Sequence, residues 1–246
     1  MRKLLAICFV SGLLIGTPLP QTGRRTVWNG VYTETQAEKG QAEFRSNCAS
    51  CHGADLGGRS APALQGDFFM DHWREDNVGS LYKFIKNTMP PIEHPGLSEG
   101  QVVGIVSYIL QSNGFPSGSA ELAANAVDGI QIEGQSGPQP IPNRSLVQIV
   151  GCLAKADRDK WVMNNASDPV RTRNTGKSSP DEMTAARNKP LGTATFELQN
   201  LAMAGIISPD DKIGNKMVAR GSLQLDLNGN RISITALESI ASTCEP

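Results

Sequence analysis

Cys48-Ala49-Ser50-Cys51-His52 constrains this chain more than any other stretch, because on a helix its spacing puts two thiols and an imidazole within about one turn of each other. Two thiols so placed can add to the two vinyl groups on one edge of a haem. The histidine that follows then faces the iron as proximal ligand. With five cysteines and three histidines in 246 residues, chance would supply this pattern in about one such chain in a thousand. A zinc site would need further Cys or His ligands, and only His72 and His94 lie near, with no second CxxC or HxxxH pair. A thioredoxin-like dithiol would need a preceding strand in a βαβ setting, where this sequence reads as helix. The expectation is one covalent haem c with its iron, attached at Cys48 and Cys51 and ligated by His52.

The flanking sequence reads as a small helical domain over residues 33–115. Thr33 or Thr35 caps a helix that runs to Asn47 and delivers its last turn to Cys48. From Gly53 to Asp67 the glycines, Ser60 and Pro62 exclude regular structure, so a loop should wrap whatever the cysteines hold. Leu81, Phe84 and Ile85 give helical spacing to Ser80–Asn87, and Pro90 and Pro91 end it. Ser98 and Gln101 make a capping box for a helix through Val102, Ile105, Val106, Ile109 and Leu110 to Asn113 and Gly114.

With these residues in view, positions 33–115 resemble the class I cytochromes c, most closely the domains associated with quinoprotein dehydrogenases and bacterial oxidases. The resemblance implies an all-α class I cytochrome c fold, with Gly40 and Phe44 where the first helix crosses the last and Tyr108 on the opposite side. It implies that the Pro62 carbonyl accepts the Nδ1–H of His52, which fixes the tautomer. It also implies that Leu64 packs on the porphyrin edge and that Trp73 lies near the propionates. Met89, in Asn87-Thr88-Met89-Pro90-Pro91, stands where the family has its distal methionine, a ligand that raises the potential and closes the iron to small molecules. Met70 and His94 are its rivals.

Residues 1–20 read as a secretory signal: Arg2 and Lys3 precede an apolar run from Leu4 to Gly16, closed by Pro18 and Pro20. The run is short for a membrane span, which favours cleavage; an uncleaved anchor is the alternative. The expected location is periplasmic or otherwise exported from a bacterial cell. Residues 116–143, rich in Gly, Pro, Ser, Ala and Gln, read as a linker with a short strand at Ile130–Ile132. Beyond it the apolar period becomes two. Leu146–Leu153, Trp161–Met163, Thr195–Leu198, Met217–Asp226 and Arg231–Ile240 read as five strands, with a mobile loop at Asn174–Pro190 and a helix start at Ser208-Pro209-Asp210-Asp211. Residues 144–246 thus resemble a small all-β OB-like five-stranded barrel. Cys152 and Cys244, left over after the signal and the haem, should pair in an exported chain. Lys155, Arg158, Lys160, Arg171 and Arg173 read as a solvated strand edge.

A formal charge of −1 gives no basic surface of the kind that gathers nucleic acid. The expected role is electron transfer between redox proteins, without catalysis by this chain alone. A dehydrogenase or quinol-oxidising complex would be donor, and an oxidase or another cytochrome acceptor. Three alternatives stay open: a haem-based sensor or binding protein that uses the barrel, a haem enzyme with a displaceable Met89, and the haem subunit of a dehydrogenase complex.

Overall fold

The computed structural model describes residues 24–91, 96–157, 160–206, 209–226 and 229–245. The signal expected at 1–20, and His94, Arg158 and Ser208, lie outside the described residues.

The first region runs β1 (Arg25–Thr26), α1 (Glu34–Asn47), α2 (Ala49–His52), α3 (Gly66–Trp73), β2 (Asp76–Asn77), α4 (Val78–Thr88), α5 (Glu99–Ser112) and β3 (Ile130–Ile132). Local chemistry starts each long helix. Thr33 accepts from the Gln36 amide at α1, Asn77 from the Ser80 amide at α4, and Ser98 forms a reciprocal box with Gln101 at α5. Helix α5 is buried continuously from Val102 to Leu110, as a helix apolar all round must be. It crosses α1 with the two backbones touching, since a Cβ on Gly40 would lie 1.8 Å from the Gly104 carbonyl oxygen. Phe44 and Tyr108 meet beside that crossing, ring centroids 5.5 Å apart and planes tilted by 58°.

Two expectations fail here. Helix α3 begins where only a loop was expected, and its end carries Phe69 and Trp73 into the core. The supposed linker is not free chain at its start: Leu122, Val127, Ile130 and Ile132 are buried in the same core as the helices. Strand β3 lies between β1, to which it is parallel, and β2, to which it is antiparallel. The region is therefore helical with a small sheet, not all-α. Apolar burial of these four side chains, at about 1.5–3 kcal/mol for the larger ones, outweighs the loop-favouring composition around them.

The second region contains β4 (Leu146–Ala156), β5 (Lys160–Ala166), β6 (Val170–Arg171), α6 (Pro180–Asn188), β7 (Ala194–Gln199), β8 (Lys216–Asp226) and β9 (Gly229–Ala241). All five expected strands are present, each extended by a residue or more. Strand β4 pairs with both β5 and β8, so pairings pass β4, β5, β7, β9, β8 and return to β4, with only β7 and β9 parallel. Val147, Ile149, Phe196, Leu198, Leu223 and Ile232 fill the interior. The loop expected at Asn174–Pro190 contains α6, which Ser179 and Glu182 start with a capping box and Pro180 at the first helical position. Ala186 and Met183 of α6 cover Val150, Val218 and Ile240 on the outer face. In place of the expected helix after Ser208 there is one 3-10 turn, Asp210–Lys212.

Cys152 and Cys244 form a disulfide across 92 positions, with Cα atoms 5.5 Å apart. Closing so long a loop restricts the unfolded chain, so the Cys152→Ala/Cys244→Ala variant should lose about 4 kcal/mol. Urea unfolding of this variant, followed by far-ultraviolet dichroism and compared with the oxidised parent, checks the loss; equal midpoints would refute it.

The two regions meet at the carboxyl end of α3. Arg171 Nη1 donates to the Arg74 carbonyl at 2.7 Å and reaches that of Asp71 at 3.5 Å. Arg173 Nη2 donates to the His72 carbonyl and its Nε to Asp76 Oδ2 at 3.0 Å. Cations suit a helix end whose last carbonyls lack partners within the helix. These two arginines are not the solvated edge expected of them; Lys155 pairs instead with Asp210, and Lys160 with Glu197.

Candidate functional site

Helix α1 ends at Cys48, whose carbonyl then accepts from the amides of Cys51 and His52 to start the single turn of α2. That turn sets Cys48, Cys51 and His52 at one end of α1, all half-buried. A four-residue helix leaves its last carbonyls without internal partners. The following loop supplies them: Ala61 N donates to Cys51 O at 3.1 Å and Gly58 N to His52 O at 2.8 Å. Gly58 has φ +85°, and a Cβ there would press on the Ala63 amide nitrogen at 2.9 Å, so this wrap requires glycine.

The same loop brings the Pro62 carbonyl oxygen 2.7 Å from His52 Nδ1. A carbonyl only accepts, so Nδ1 carries the proton and Nε2 keeps its lone pair for a metal. Leu64 is fixed next to this loop: its amide donates to Leu56 O at 2.8 Å and its carbonyl accepts from Asn113 Nδ2 at 2.9 Å. Asn113, the C-cap of α5, also accepts from the Gly66 amide. One side chain thus ties the loop and the start of α3 to the central helix, a link that no spacing in the sequence announces.

Met89 is the C-cap residue of α4, with its amide bonded to Ile85 O. It is half-buried and packs on the same core as Cys48, Ala49, Leu64 and Met70. Trp73 is 7% exposed. It sits against Phe69 and Phe84, with the Arg173 guanidinium 4.1 Å from its ring centre. His72 is a surface residue whose Nδ1 bonds the Phe68 carbonyl one turn back, with its ring stacked on Phe68.

Both thiols are free. Burial, reinforced by the neighbouring Cys51, pushes the Cys48 thiol up to about 11, so it is protonated at neutral pH. Among the described residues no three His, Cys, Asp or Glu side chains gather as a metal site. Two free thiols one turn apart, an imidazole with Nε2 unengaged and a row of half-buried apolar side chains on one core together suit a covalent haem.

Residues 35–109 match the family model of cytochrome c oxidase, cbb3-type, subunit III. They form a cytochrome c domain. Such a domain carries covalently bound haem c with its iron, its role is haem electron transfer between redox partners, and cytochrome c domains are usually exported or periplasmic. The match ends before β3, and no family is assigned beyond it. Among curated proteins no sequence match is found. The crystal structure of the sulfane dehydrogenase SoxCD from Paracoccus pantotrophus aligns at 24% identity over 52% of this chain and 72% of that one. Its TM-score of 0.33 is too low to bear on fold or function. No described helix is long and apolar enough to cross a membrane.

Proposed function

We propose that the chain is an exported monohaem cytochrome c. It shuttles electrons from a dehydrogenase or quinol-oxidising complex to an oxidase or another cytochrome, and catalyses no reaction alone. In this reading Cys48 and Cys51 hold the haem, His52 Nε2 and Met89 Sδ take the two axial positions, and Leu64 and Trp73 line the pocket. The observation that carries it is the His52 Nδ1 to Pro62 carbonyl contact of 2.7 Å beside two free thiols. His72 makes a similar contact on the surface; at His52 the contact fixes the tautomer that leaves Nε2 available beside two free thiols, as a ligand requires.

Haem when bound supplies one-electron exchange between ferric and ferrous iron. The rest is done by this chain's residues. The Pro62 carbonyl holds the His52 ring with its proton on Nδ1, so Nε2 would stay directed at the iron. Leu64, Met70 and the core behind them exclude water from one side. Residues 144–246 would be a five-stranded OB-like barrel, a reading supported by pairing that returns to β4 and by the lone parallel pair β7 and β9.

Absorption spectroscopy tests the ligand set. The ferric protein should show a methionine-to-iron charge-transfer band, which Met89→Ala abolishes and Met70→Ala leaves in place. Thioether ligation also raises the potential, so Met89→Ala should lower it by more than about 100 mV, within the range over which axial ligands act. A band that survives Met89→Ala and vanishes in Met70→Ala would overturn the assignment.

A further inference from the structure

Arg173 belongs to the second region, yet its side-chain contacts are with the haem domain: the His72 carbonyl and the Trp73 ring at the end of α3, and Asp76 just before α4. Its Nε is 3.0 Å from Asp76 Oδ2, a carboxylate with no exposed surface, and Asp76 immediately precedes Asn77, the N-cap of α4. Its guanidinium covers the Trp73 ring at 4.1 Å, and another neighbour of that ring is Phe84, in the body of α4, at 5.9 Å edge-on. Met89 is the C-cap of the same helix. One side chain from the β region therefore bears on the start of α4 through Asp76 and on its middle through Trp73.

We propose that Arg173 is a positioning residue for the iron's sixth ligand, holding α4 and hence Met89 in place from outside the haem domain. The proposal rests on the reading of Met89 as that ligand. It gives the β region a role, that of a clamp on the distal side of the haem. Arg171 provides a comparison inside the same interface. It donates to the carbonyls of Arg74 and Asp71, at the end of α3. It docks the two regions through these carbonyls and feels the Asp76 charge, but it makes no hydrogen bond to Asp76 and no stack on Trp73.

Helix α4 is also packed on α5 and on the 3-10 helix Ala124–Gly129, and Lys83 pairs with Asp128. Loss of Arg173 should therefore loosen Met89 and not release it. Carbon monoxide reads this loosening. It must displace the sixth ligand from ferrous iron, so its apparent affinity rises with the fraction of molecules in which that ligand is off. Being neutral, it does not respond to the lost charge itself.

The test uses the full haem-loaded chain. Arg173→Ala should raise the apparent carbon monoxide affinity about tenfold and weaken the charge-transfer band. Arg173→Lys, which can keep the Asp76 pair but not the planar stack, should give about threefold. Arg171→Ala should bind like the parent. If Arg173→Ala does not fold, Arg173→Lys against Arg171→Ala decides alone. Parent-like affinity in the Arg173 variants, or an equal rise in Arg171→Ala, overturns the proposal. Met89→Ala, run alongside, separates the two readings: if it keeps the band, the ligand assignment has failed, and if it loses the band while Arg173→Ala is unchanged, only the clamp has.

Discussion

A chain with both Cys48 and Cys51 replaced by Ala should release all of its haem into acidified acetone, whereas the parent should release none. The reason is that each thiol is one of two possible covalent anchors, and both are free to serve. The proposed ligation by His52 and Met89 would not survive acid, since protonated imidazole has no lone pair for the metal. Either single variant should keep its haem through the remaining thioether, with the absorption shifted by the residual vinyl group. Haem retained by the double variant after acid extraction would remove the basis for covalent attachment here. The double variant should also unfold more readily, because Cys48, Leu64, Met70 and Met89 all pack on a core that the porphyrin would extend.

Gly40→Ala should destabilise the haem domain by about 3 kcal/mol or more, at the upper end of overpacking costs. Its new Cβ would stand 1.8 Å from the Gly104 carbonyl oxygen, a backbone atom of the central helix that cannot swing aside. Helices α1 and α5 must then separate, and Phe44 and Tyr108 lose their contact. Gly104→Ala makes a control within the same crossing: its Cβ would meet the Gly40 Cα at 3.3 Å, a tight contact that a small shift relieves. The better helix propensity of Ala, worth about 1 kcal/mol, should offset most of that strain. Thermal melts of the two variants should thus differ by about 10 °C or more, and coincident melts would refute the asymmetry.

How much of this was legible in the sequence depends on how local each signal was. Helix α5 could be read because Ser98, Gln101 and apolar residues at helical spacing from Val102 to Leu110 lie within fifteen residues. The proposed haem-attachment motif stands out because it occupies five. Helix α3 was missed because it is short and Gln65 at its start makes no side-chain cap bond. Helix α6 was missed for a different reason: its capping box was in view at Ser179 and Glu182, but the segment has few apolar residues to suggest a buried face. The stretch 116–132 was read by composition apart from its strand at Ile130–Ile132, which the structure contains as β3; composition hid the burial of Leu122 and Val127. Arg171 and Arg173 carried no signal at all, since their partners lie about a hundred positions earlier in the chain. Long-range polar contacts decide whether such residues are surface or interface, and a single sequence does not display them.

The small sheet has a bearing on how the protein is made. Its central strand, β3, is the last part of the haem domain in chain order, and it lies between the first strand, β1, and the strand that precedes α4. A chain emerging amino end first presents the cysteines and His52 long before Ile130–Ile132 arrives to join Arg25–Thr26 to Asp76–Asn77. During that interval the start of α4 lacks its partner strand and the domain stays open at that edge. The sheet that holds the start of α4 is thus completed by the domain's own last strand.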